Sequence, residues 1–187
     1  MATVSMSDIR NGMTLNLPEG LFKIIDFQHV KPGKGGAFVR TKLKNVRNGA
    51  VVDRTYRGDE KLEQAIIEKR EMQFLYRDGE DYVFMDTGTY DQHHLAPVVL
   101  GDATGFLKES DTAIIQRFGE EVVGVDLPAS VELIVTETEP GVAGDTVSNA
   151  RKPATLETGH VLQVPLFVNQ GDKIKVDTRS GDYITRA

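Results

Sequence analysis

Lys34 stands alone among small residues. In the run Lys31-Pro32-Gly33-Lys34-Gly35-Gly36, Pro32 restricts φ, while Gly33, Gly35 and Gly36 permit conformations closed to residues with a Cβ. The single long side chain is therefore carried where the backbone can approach a partner closely. The chemistry on offer is that of one ammonium, able to meet a phosphate or a hydroxyl. A plain tight hairpin needs only one or two glycines and leaves its lysine solvated. A nucleotide-phosphate loop needs Gly-x4-Gly-Lys-Ser/Thr and a following helix, and this run has neither. A finger probing RNA places one cation at the end of a charged ribbon, and the next strand supplies one. There Val39, Thr41 and Leu43 alternate with Arg40, Lys42 and Lys44, so a basic stripe leads towards the lysine. Residue chemistry alone leaves the solvated turn and the RNA finger both standing.

Other reactive constellations are weaker. With no cysteine, disulfides and thiolate metal sites are excluded. His29, His93, His94 and His160 give no i, i+4 pair of the kind a helical zinc site uses, and no metal is expected. The acidic run Asp78-Gly79-Glu80-Asp81 lacks the twelve-residue ligand pattern of a calcium loop and reads as a solvated turn. No Gly-x-Ser-x-Gly elbow marks a hydrolase nucleophile. Neither an enzyme nor a cofactor is expected.

The elements that must position Lys34 are mostly strands. Ala37–Arg47 and Ala50–Arg57 flank Asn48-Gly49, a pair that favours a type I′ turn. Met72–Tyr76 and Tyr82–Met85 repeat the pattern around Asp78-Gly79. Further strands are expected at Leu21–His29, Thr112–Phe118, Glu121–Val125, Val131–Glu137, Val161–Val168, Lys173–Val176 and Tyr183–Thr185. Short helical turns are expected near Leu62–Ile67, Tyr90–His94 and Ala103–Lys108. Many short strands between turn residues suggest small barrels or sandwiches.

Charge divides the 187 residues unevenly. Residues 1–64 carry 11 basic against 7 acidic side chains, 65–127 carry 5 against 13, and 128–187 carry 6 against 8, for a total of −6. Gln28–Arg57 alone has eight basic residues and one acid, Asp53. A basic zone on an acidic chain suits a polyanion met in one orientation, and equally a solvated surface. These blocks and the Leu127-Pro128 junction suggest three units, 1–64, 65–127 and 128–187. No stretch reaches the roughly 18 apolar residues of a membrane span, and the start lacks a secretory pattern. A cytoplasmic protein is expected, without membrane contact.

The tip run, with Phe38-Val39-Arg40 after it, resembles the tip loop of the elongation factor P family. Independently, Lys152-Pro153-Ala154-Thr155-Leu156-Glu157-Thr158-Gly159-His160-Val161-Leu162-Gln163-Val164-Pro165-Leu166-Phe167-Val168-Asn169-Gln170-Gly171 resembles that family's C-terminal signature. Lys175–Tyr183 adds a third match. The resemblance implies an all-β chain, an SH3-like N-terminal barrel followed by two OB-fold barrels in an L-shaped, tRNA-like arrangement. It also implies a monomer that binds the 70S ribosome, its rRNA and its proteins, between the P and E sites. There it would stimulate peptide-bond formation and relieve stalling at consecutive prolines.

Carried over by position, Lys34 contacts the CCA end of the P-site peptidyl- or initiator tRNA, and an enzyme that extends lysine is a further expected partner. Lys31, Pro32, Gly33, Gly35 and Gly36 shape the loop, and Arg40, Lys42 and Lys44 meet rRNA or tRNA backbone. Gly144, Asp145 and Thr146 reach towards E-site mRNA, and Tyr183 and Arg186 lie near the small subunit. Gly36 departs from the Gln or Pro that relatives carry after Gly35. Lys34 excludes the arginine-bearing branch of the family and leaves the lysine modifications open. The rival reading is a generic RNA-binding barrel, which a 7% aromatic content without Trp weakens.

Overall fold

The computed structural model describes residues 2–141 and 150–187. Backbone packing divides the chain into two compact units, Met1–Lys69 with Gln116–Gly124, and Arg70–Ile115 with Val125–Ala187.

The first unit is built on β1 (Ala2–Val4), β2 (Thr14–Leu17), β3 (Gly20–Val30), β4 (Phe38–Asn45), β5 (Val51–Arg57) and β6 (Leu62–Ala65). They form one sheet in the order β1-β6-β2-β3-β4-β5. Alternation drives the long hairpin β3–β4: Val39, Thr41 and Leu43 are buried, whereas Arg40, Lys42 and Lys44 are exposed. Leu15, Phe22, Ile24, Val39, Leu43 and Tyr56 share one core, each large apolar side chain worth roughly 1.5–3 kcal/mol on burial. A second cluster joins Leu21 and Ala65 to Val123, with Phe118 packed against it.

The second sheet comprises β7 (Glu68–Asp78), β8 (Asp81–Asp86), β9 (Gln92–Leu95), β10 (Thr112–Phe118) and β11 (Glu121–Asp126), in the order β11-β10-β7-β8-β9. Phe74 packs against Tyr82 and Phe84, with ring centroids 5.3 and 5.5 Å away. The third sheet orders β12 (Ser130–Thr138), β13 (Arg151–Leu156), β14 (Val161–Pro165), β15 (Lys173–Asp177) and β16 (Tyr183–Arg186) as β14-β13-β12-β15-β16. Leu133, Val135, Leu156, Val164, Ile174 and Val176 form its core. The architecture is all-β, one six-stranded sheet followed by two five-stranded sheets.

His160 is a joint within the second unit. Its ring lies 4.8 Å from that of Phe106, and a Cβ on Gly105 or Gly181 would stand 3.3 or 3.2 Å from an imidazole nitrogen. Thr158 Oγ1 donates to the Gly105 carbonyl at 2.6 Å.

Several local expectations are corrected. Leu62–Ile67 is not helical: β6 occupies Leu62–Ala65. Leu62 and Ala65, three apart, mimic a helical stripe, but they enter two different clusters, as residues on opposite faces of a strand do. Tyr90–His94 is not helical either, since Gln92–Leu95 pairs antiparallel with β8. Near Ala103–Lys108 the helical turn starts earlier, as α1 (Pro97–Leu100) followed by a 3-10 turn over Gly101–Gly105. Asn48-Gly49 does not form a two-residue type I′ turn. The connection runs from Val46 to Ala50 with positive φ only at Gly49, and Asn45 Oδ1 accepts from the N–H groups of Arg47 and Asn48 at 2.9 and 3.1 Å. The side chain of Asn45 thus supplies the turn that Asn48 was expected to make.

Candidate nucleic-acid interface

Lys34 sits in the seven-residue connection between β3 and β4, whose last pair is Val30 with Phe38. All seven residues are exposed, and Lys34 has no hydrogen bond or ion pair among the described residues. Only one of its glycines is required by conformation. Gly35 has φ +129°, whereas Gly33 and Gly36 have neither positive φ nor any atom within 4 Å of a would-be Cβ. Pro32 backs Gly35, its Cγ 3.7 Å from where a Cβ would stand. At the loop's base lies a groove of about 560 Å³, lined in part by Met6, His29, Val30 and Phe38.

The basic stripe is less uniform than the sequence suggests. Register places Lys42 between Asp26 on β3 and Asp53 on β5. Two carboxylates thus flank it in register, though neither closes an ion pair with it among the described residues. Arg40 has the neutral neighbours Gln28 and Thr55, and its guanidinium lies 5.7 Å from the Phe38 ring centre. Lys44 faces Lys23 across the β3–β4 pair and Val51 on the other side. Two like charges directly opposite repel, and a bound anion would relieve that repulsion. Lys23 was not singled out from sequence, because the bulge at Ile25 hides its alignment with Lys44 until the register is known. Positive charge is therefore concentrated near the tip, at Lys31, Lys34 and Arg40, and again at Lys23 and Lys44.

Elsewhere the expected site residues are separate. Gly144, Asp145 and Thr146 lie outside the described residues. The adjoining backbone is well supported. Buried Lys152 Nζ donates to the Glu139 carbonyl at 2.5 Å, and a Cβ on Gly141 would stand only 2.5 Å from the Leu166 carbonyl oxygen. Lys152, taken in the sequence as part of a signature, acts here as a brace. Tyr183 is half-buried against the third core. Arg186 binds the Asp172 carboxylate at 2.6 Å and lies 5.8 Å from the Phe167 ring centre. The N–H of Asn169, then Arg186, hold the Asp172 carboxyl below its ordinary range. No group of three or more His, Cys, Asp or Glu residues is placed to hold a metal among the described residues, and no helix there is long and apolar enough to cross a membrane.

Comparison with known proteins decides the family. Residues 5–62 match the elongation factor P KOW-like domain, 67–125 its OB domain and 131–186 its C-terminal domain. Elongation factor P of a Nocardioides species is 54% identical over 186 residues, covering 100% of this chain and 98% of that protein. The chain belongs to the elongation factor P family. It is a translation elongation factor by that membership. The Acidothermus cellulolyticus factor is likewise 54% identical, over 100% of this chain and 99% of its own. The Maridesulfovibrio salexigens factor is 54% identical over 98% of each. Among solved structures, translation initiation factor 5A from Methanococcus jannaschii aligns with TM-score 0.54 at 24% identity, over 67% of this chain and 90% of that one. A 5A family protein from Naegleria fowleri aligns with TM-score 0.56 at 13% identity, over 67% and 98%. At these identities the likeness concerns fold alone.

Proposed function

We propose that this factor binds the 70S ribosome between the P and E sites and accelerates peptide-bond formation by positioning the P-site tRNA. The observation that carries this reading is Lys34, exposed and without a partner among the described residues, at the apex of a glycine-bearing loop on a charged hairpin. The proposed domains are 1–64, 65–127 and 128–187, in a cytoplasmic monomer. Lys34 meets the CCA end and is the site of any lysine extension. Arg40 and Lys44 meet nucleic-acid backbone, and Gly144-Asp145-Thr146 faces E-site mRNA, with Tyr183 and Arg186 towards the small subunit.

No enzyme chemistry is required of it. Proline is a poor donor and acceptor because its ring restricts how the amine and ester align, and the ribosome supplies the reactive site. A factor that fixes the tRNA end lowers the cost of reaching the transition state, with each ~1.4 kcal/mol giving tenfold in rate. An ammonium on a flexible stem can hold phosphate or ribose hydroxyls without transferring a proton.

The test is single-turnover peptide formation on a Pro-Pro-Pro message, with factor titrated to saturation. Lys34→Ala removes one exposed contact, so binding should weaken less than tenfold, or about 1 kcal/mol. The maximal rate should fall much further, because the lost contact acts in the transition state. Lys34→Arg keeps charge but changes geometry and should rescue incompletely. Full activity of Lys34→Ala at saturation would reduce the tip lysine to a docking contact.

A further inference from the structure

We propose that the outer edge of β9, bracketed by Tyr90 and Val98, docks an extended basic protein segment, and that this is the second sheet's own contact on the ribosome. The proposal rests on the ribosome-binding reading above, and adds to it one surface and the chemistry of the segment that meets it.

Tyr90 is held in place by its surroundings yet contributes nothing visible to the fold. Its φ is +65°, a left-handed conformation that crowds a Cβ and is rare for bulky residues. The turn that imposes it is fixed from several directions. Asp86, 5% exposed, accepts the N–H groups of Gly88 and Thr89 on Oδ1 at 2.8 and 3.1 Å. The Tyr90 N–H donates to the Asp86 carbonyl at 2.8 Å, and the Asp86 N–H to the Asp91 carbonyl at 2.9 Å. Thr87 donates to the Glu71 carbonyl through both N–H and Oγ1, at 3.3 and 3.1 Å. The ring so presented is 71% exposed, without a ring contact or hydroxyl partner among the described residues. Asparagine or glycine would satisfy this backbone more easily. Exposed aromatics anchor protein interfaces, where their rigid faces bury large area at low entropic cost.

Beside Tyr90 runs the edge of the second sheet. β9 is the last strand of its sheet, and its outer side pairs with no strand among the described residues. Just beyond it Val98, in α1, is 88% exposed. Gln92–Leu95 holds none of the lysine or proline that commonly guards an edge, so its own shortness, four residues, is the one guard within the strand. Such an edge accepts an extended segment through backbone hydrogen bonds, with flanking apolar residues supplying grip.

Charge selects the occupant. Residues 78–107 contain six Asp or Glu and no Lys or Arg; Arg70 lies 3.6 Å from Asp86, His94 lies 3.8 Å from Asp78 and Arg77 lies over the Tyr82 ring, which leaves Glu80, Asp81, Asp91 and Asp102 to make the local field acidic. That field repels phosphate and attracts a cationic chain, whose arginines can stack on the Tyr90 ring while pairing with acids such as Asp91. RNA is the less favoured occupant, since base stacking would bring its backbone into the same acidic field.

Two substitutions and a crosslink test this, each in the full chain on intact ribosomes. Tyr90→Asn keeps a residue that tolerates left-handed backbone, so melting temperature should hold or rise while ribosome affinity falls roughly tenfold. Gln92→Lys adds a cation at an exposed edge position. It should weaken binding to a basic protein segment, most at low salt, and would strengthen binding to RNA. A photoreactive benzoylphenylalanine at position 90 should yield an adduct destroyed by protease and resistant to nuclease. An rRNA adduct, or tighter binding by Gln92→Lys, overturns the proposed partner. Normal binding by both variants without a crosslink overturns the surface. If the unaltered chain fails to bind ribosomes, the underlying functional reading falls instead.

Discussion

Gly35→Ala should impair this factor far more than the same change at either neighbouring glycine. Gly35 holds φ at +129°, a region that residues with a Cβ seldom enter. A Cβ there would meet only Pro32 Cγ at 3.7 Å, an ordinary contact, so the penalty lies in the backbone and not in a clash. Such strain costs about 1–3 kcal/mol. The loop is exposed and lies outside the strands, so it can relax into another shape without disturbing the core. Melting temperature should therefore barely move, within about 0.5 kcal/mol of stability. What changes is the fraction of molecules whose loop presents Lys34 as the wild type does. At ~1.4 kcal/mol per tenfold, that fraction falls about 5- to 150-fold. The readout is peptide formation on consecutive prolines across a factor titration, with Gly33→Ala and Gly36→Ala in parallel. Both controls have negative φ and open space, and should behave as wild type. Equal loss in all three variants would mean that small size matters at the tip, not conformation. A harmless Gly35→Ala would show that the unbound loop shape is irrelevant to function.

Three further outcomes are expected. Lys44→Ala or Lys23→Ala should lower ribosome affinity and reduce the log–log salt slope by roughly 0.7–0.9 each, whereas Lys42→Ala, at a position that Asp26 and Asp53 flank in register, should change the slope least. Equal slopes for all three would undo the register argument. Gly141→Ala should destabilise the chain by about 1–3 kcal/mol in thermal or denaturant melts, because its Cβ would stand 2.5 Å from the Leu166 carbonyl oxygen and the backbone must shift. On acidification followed by carboxyl NMR, Asp111 should protonate early and Asp172 and Asp177 late. Burial raises the Asp111 carboxyl, while N–H donors (Asn169 for Asp172, then Ser180 and Arg179 for Asp177) lower the other two. The lowered pair stabilise the fold above the ordinary carboxylate pKa, an effect lost as pH falls through their folded values. Asp111 works in the opposite sense, favouring the fold once protonated.

Much of the fold was legible because alternation is a strong signal where one face is buried. Phe38–Asn45 is such a case, and its inward and outward residues fall as the pattern predicts. Leu62 and Ala65 misled because spacing by three reads as helical until two separate clusters are seen to share one strand. The turn at Asn48-Gly49 misled because Asn45, three residues earlier, competes for the same backbone N–H groups. At the candidate site, the composition of the tip loop was readable, but not which glycine its conformation requires. Pairing was not readable at all. Lys42 lies between two acids and Lys44 opposite Lys23 only through strand register, and a bulge at Ile25 sets that register. Lys152 looked like part of a motif, and its role as a brace depends on a carbonyl thirteen residues away.

The cluster that joins Leu21 and Ala65 to Val123 bears on how the chain is made. The first unit needs Gln116–Gly124, yet its own sheet ends at Ala65. As the nascent chain leaves the ribosome, all six strands of that sheet emerge before the segment that completes the unit. The gap between Lys69 and Val123 is roughly 50 residues, which at about 5–20 residues per second takes ~3–10 s to synthesise. During that interval Leu21 and Ala65 wait uncovered, on a sheet already able to close its main core. A fragment cut after residue 69 would keep that apolar face open permanently, and should be stickier and less stable than the intact factor.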